Sequence, residues 1–141
     1  MTGRDAYAPL SDGDWPAELA DLKDGFAGGL NVYRAMAHHP GLLRAWAGLR
    51  EHVVNHTALG PERAEVVILR AAHRLGVAYA WSQHFLRARA AGLTEARIGS
   101  IRGVLAGMSP EAADMCGAVV ALFDDGKLAP HMVAELTAHL G

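Results

Sequence analysis

The chain has 141 residues, a formal net charge of −2 and 51% hydrophobic residues, of which few are aromatic. Interspersed charges exclude the clustered basic footprint of a nucleic-acid binder, and a single cysteine, Cys116, excludes an internal disulfide framework or a CxxC redox pair. No apolar run approaches the length of a membrane span.

Ala, Leu and Val supply most of the apolar content, which favours helices over sheets. The length suits one core, and the apolar fraction is high enough to expect burial between subunits. The opening stretch MTGRDAYAPLSDGDW is polar, without the apolar segment of a signal peptide, so a cytoplasmic protein is expected.

Residues 1–14 read as an irregular arm and 15–141 as one helical domain. A short first helix is expected from Pro16 to about Lys23, and a second from Asn31 to Ala37, ended by His38-His39-Pro40. The next piece, LLRAWAGLREHVVNH, has Leu42, Leu43, Trp46, Leu49 and Val53 at helical spacing. Gly60-Pro61 opens PERAEVVILRAAHRLG, whose acidic first turn suits the helix dipole and whose Gly76 is a stop. VAYAWSQHFLRARAAG follows and ends at Gly92. Thr94 caps TEARIGSIRGVLAG, Ser109-Pro110 caps PEAADMCGAVVALFDDG, and Pro130 opens HMVAELTAHLG. The expectation is an all-α bundle of about seven or eight helices.

Phosphate-cradling glycine loops, a GxSxG elbow and an HExxH metal motif are all absent. His52 and His56 stand one helical turn apart, a spacing that can present two imidazoles to a metal. Further ligands would have to come from elsewhere, for instance His38 or His39; the alternative is a solvated helix face, and no metal site is expected. Glu65 and His84 form the second candidate. Glu65 precedes the Gly76 turn by eleven residues and His84 follows it by eight, so antiparallel helices bring them within a few ångströms of axial register. A partly buried carboxylate there would hold the imidazole in one tautomer and favour its protonated form, as an acid/base near neutral pH requires. Spacing alone leaves open a purely structural hydrogen bond between two helices.

The segment RAEVVILRAAHRLGVAYAWSQHFLRARAAGLTEARIGSI, with HHPGLLRAWAGL upstream and LFDDGKLAPHMVAEL downstream, resembles the carboxymuconolactone decarboxylase and alkylhydroperoxidase D superfamily. The resemblance covers roughly residues 30–138 and implies an all-helical subunit that assembles into trimers or hexamers. In the hydroperoxidase branch a glutamate, a CxxC pair and a histidine four residues beyond it form the motif. The glutamate falls on Glu65 and the histidine on His84, while the cysteine positions hold Val77 and Ala80. Dithiol peroxide reduction is thereby excluded, because it needs a nucleophilic and a resolving thiol.

The resemblance therefore implies the branch that lacks the CxxC pair, with Glu65 and His84 as the acid/base residues of a lyase acting on a small lactone, keto acid or related carbonyl compound. No cofactor is expected. An apolar pocket lined by Val77, Tyr79 and Trp81 would bind the small-molecule substrate. Arg70, or Arg74 on the same helix, would hold its anion. His73 is expected to face outward or to join a subunit contact. The alternative is a non-catalytic ligand-binding or assembly protein on the same scaffold.

Overall fold

Prolines and glycines bound most of the helices of the structure, a computed structural model that describes residues 6–141. Eight α-helical segments occur among the described residues, and no strand: α1 (Ala20–Leu22), α2 (Asn31–Met36), α3 (Pro40–Arg50), α4 (Pro61–Leu75), α5 (Ala78–Ala90), α6 (Glu95–Ser100), α7 (Pro110–Asp124) and α8 (Pro130–Leu140). Pro40, Pro61, Pro110 and Pro130 each occupy the first turn of a helix, where the missing N–H has no partner to lose. No helix among the described residues is long and apolar enough to cross a membrane. The helices gather into two compact units, one ending at Asn55 and the other running from His56 to Gly141.

In the first unit, residues 6–14 form turns and bends without helix. Arg34 ties this stretch down: its guanidinium donates to the Leu10 carbonyl (2.7 Å), the Gly28 carbonyl (2.6 Å) and the Asp12 carboxylate (2.6 Å). The expectations for residues 1–5 lie outside the described residues. Helical structure from Ala17 is irregular and runs on past Lys23 to Ala27, with Gly25 held in a non-helical conformation. Trp15, Leu19, Ala27, Ala37 and Leu43 form the core. Arg50 is also buried, its guanidinium 4.6 Å above the Phe26 ring. Both histidines before Pro40 have local tasks. His38 Nε2–H donates to the Ala8 carbonyl (2.8 Å), and His39 Nδ1 accepts the Leu42 N–H, capping α3.

The second unit is built around α4, α5 and α7. Its core joins Val66 and Leu69 of α4, Ala88 of α5, Leu93, Ile98 and Ile101 around α6, and Met115 and Cys116 of α7. Gly76 (φ 67°) ends α4 and Gly92 (φ 106°) follows α5, both in the left-handed region that only glycine adopts without steric cost. At each end the following residue reaches back, Val77 N–H to Ala72 O (3.0 Å) and Leu93 N–H to Ala88 O (2.9 Å), satisfying helix carbonyls that would otherwise be orphaned. The Gly76 turn reverses the chain tightly and lays α5 along α4, and the Gly92 turn leads on to α6. Thr94 caps α6 as expected, its hydroxyl accepting the Arg97 N–H. The expected helix from Thr94 to Gly107, however, stops at Ser100 and resumes only as a short turn, Leu105–Gly107. Arg70 explains the stop, because its guanidinium takes up the carbonyls of Ile101 (2.7 Å) and Gly103 (3.0 Å).

Candidate functional site

Burial of Glu65 follows from its place on α4. It sits between Ala64 and Val66, and all three are buried together with Leu69 and Ala72. A carboxylate removed from water requires hydrogen-bond donors, and α5 supplies two. His84 Nδ1 lies 2.7 Å from Glu65 Oε2, and Arg87 Nε donates to Oε1 at 3.2 Å. His84 and Arg87 are three positions apart and so neighbours on one face of α5. The axial register read from the Gly76 turn thus brings the glutamate and the histidine into contact.

An ionised carboxylate only accepts, so the short bond places a proton on His84 Nδ1. Nε2 is then free to act, and it has no hydrogen-bond partner among the described residues. The His84 side chain keeps 21% of its surface exposed, against 7% for Glu65, so a ligand can reach the ring while its carboxylate partner stays covered. Arg87 is the member of this cluster that sequence reasoning missed. Its signal was available in the spacing of three residues after His84 on a helix.

Val77 and Trp81 lie elsewhere. Together with Ala72, His73, Gly76, Ala78 and Arg102 they line an open cavity of about 240 Å³ at the turn between α4 and α5. Neither Glu65 nor His84 lines it, although Trp81 is one turn before His84 on α5. Tyr79 is exposed at the same end of the helix and does not line this cavity. Arg70 does not line it either. Its guanidinium is committed to the Ile101 and Gly103 carbonyls, and its Nε is buried without a partner. Arg74 pairs with Asp124 at 2.5 Å. His73 is exposed, as expected, and its ring meets the edge of Trp81 at 6.3 Å between centroids.

No thiol stands near this chemistry in sequence, since Val77 and Ala80 occupy the relevant positions. Cys116 is fully buried in the core, and that burial pushes its thiol above the ordinary range, away from the nucleophilic thiolate. Among the described residues no group of three or more His, Cys, Asp or Glu side chains is placed to hold a metal ion.

A sequence model of the carboxymuconolactone decarboxylase family matches residues 40–121, more than half of the chain, and the match includes Glu65 and His84. No curated protein and no solved structure matches the chain.

Proposed function

The chain belongs to the carboxymuconolactone decarboxylase family, and from that premise we propose that it is a thiol-independent acid/base enzyme acting on a small lactone, keto acid or related carbonyl compound. The observation that carries this reading is the Glu65–His84 contact at 2.7 Å, which leaves Nε2 of a partly exposed imidazole unpartnered. In a decarboxylation, the electron pair of the breaking C–C bond stays on the carbon that loses CO₂ and spreads into the adjacent carbonyl. That carbanion must then be protonated. His84 Nε2–H delivers the proton, and Glu65 stabilises the imidazolium that precedes the transfer. Arg87 is a positioning residue, fixing the second carboxylate oxygen so that Glu65 cannot rotate away from His84.

The reading extends to a cytoplasmic homo-oligomer, a trimer or hexamer. Support comes from Leu42, Trp46, Leu49 and Val53, an apolar stripe exposed on a single chain.

Turnover of a panel of lactones and β-keto acids, followed by CO₂ release, tests the chemistry. His84→Gln should lower kcat by about 10²- to 10⁴-fold, the usual worth of a general acid. Glu65→Gln should lower it as well, while both variants keep a melting temperature near that of the parent. Unchanged turnover in His84→Gln removes His84 from the chemistry. A melting temperature lowered by several degrees in both variants, with no substrate found, assigns the pair to structure and the protein to the non-catalytic alternative.

A further inference from the structure

The second unit contains seven arginines, and six of them have an acceptor. Arg63 pairs with Glu111, Arg74 with Asp124, Arg87 with Glu65, Arg89 with Glu95 and Arg97 with Glu62, while Arg70 binds two backbone carbonyls. Arg102 alone has neither a carboxylate nor a hydrogen-bond acceptor among the described residues. It is nevertheless held in place, with its guanidinium carbon 3.9 Å above the Trp81 ring. Stacking on an aromatic face fixes the plane of a guanidinium and leaves its N–H edge free to donate.

The backbone of Arg102 is fixed as well. Arg70 grips the carbonyls of Ile101 and Gly103, the residues on either side of it. Arg70 therefore serves the cavity at one remove: it secures the turn from which Arg102 reaches the Trp81 face. The same cavity is lined by His73 and otherwise by Ala72, Gly76, Val77, Ala78 and Trp81, with no acidic side chain. Its volume of about 240 Å³ lies below the range typical of drug-sized ligands, which suits a small molecule.

We infer that this cavity is an anion-recognition subsite for a small carboxylate with an apolar body, with Arg102 as its specificity-determining residue and Arg70 as the positioning residue behind it. The carboxylate accepts from the free edge of the Arg102 guanidinium, and His73 provides a second polar contact at the rim. The apolar body occupies the space among Ala72, Val77, Ala78 and Trp81. Identification of this ligand with the substrate rests on the acid/base reading above, whereas binding itself does not, so the two fail separately.

Benzoate and its uncharged isostere benzamide are suitable probes on the full chain. Titration is read by calorimetry and by the Trp81 indole N–H resonance, assigned by its loss in Trp81→Phe. Benzoate should shift that resonance and bind more tightly than benzamide. Arg102→Gln should weaken benzoate by about ten- to a hundredfold, the worth of a charge-assisted hydrogen bond, and leave benzamide unchanged. Arg70→Gln should weaken benzoate less, and Arg102→Lys should recover part of the loss. Equal binding of benzoate and benzamide overturns the proposal. So does benzoate binding that Arg102→Gln leaves intact, or a benzoate titration that never moves the Trp81 resonance. Loss of turnover in His84→Gln with intact benzoate binding would separate catalysis from recognition.

Discussion

Helices α3 and α4 carry the same kind of amphipathic pattern and put it to opposite uses. On α4, Ala64, Val66, Leu69 and Ala72 are buried in the core of the second unit. On α3 and the turn after it, Leu42, Trp46, Leu49 and Val53 recur at intervals of four, three and four residues, yet all four are exposed. The buried side of α3 is instead Leu43 and Arg50. An apolar stripe therefore specifies that a face needs covering without specifying what covers it. The side that sequence periodicity would assign to the core of α3 is the side this chain leaves open.

Three substitutions would break or sharpen that contrast. The largest effect is expected from Leu69→Ala, since Leu69 is fully buried and its truncation leaves a cavity. Denaturant unfolding should show a loss of about 2–5 kcal/mol, and a loss below 1 kcal/mol would mean that the α4 stripe is not the core it looks to be. Gly76→Ala comes next. No atom obstructs an added Cβ there, so the expected cost of about 1–2 kcal/mol comes from the left-handed backbone alone. Equal stability of the alanine variant would show that the turn joining α4 to α5 relaxes. Leu49→Glu should have the smallest effect on unfolding, within about 0.5 kcal/mol, because Leu49 is 52% exposed. Light scattering should nonetheless report a smaller assembled mass. A marked loss of stability with unchanged mass would place the α3 stripe in a core after all.

Much of the candidate site could be read from the sequence, for a geometric reason. Glu65 and His84 flank a tight glycine turn, and two straight helices joined in that way have a calculable register. Arg87 was equally within reach by its helical spacing. Arg102 was not, because its position against Trp81 depends on where the chain turns after α6, and local sequence expected that stretch to remain helical. Arg70 shows the same limit from the other side. A basic residue near a presumed site reads as an anion holder, while its actual acceptors are backbone carbonyls more than thirty positions away.

The sequence by itself determined the helical class, most helix boundaries and the meeting of Glu65 with His84. All of these rest on local rules: prolines in first turns, glycines with positive φ, and a rise that is constant along a helix. Only the tertiary structure decided that Leu43 rather than Leu42 is buried, that α6 stops at Ser100, and that Arg102 rests on Trp81 without an acceptor. Those outcomes depend on contacts between residues distant in the chain, where burial, carbonyl capping and ring stacking compete for the same side chains and helical periodicity no longer distinguishes them.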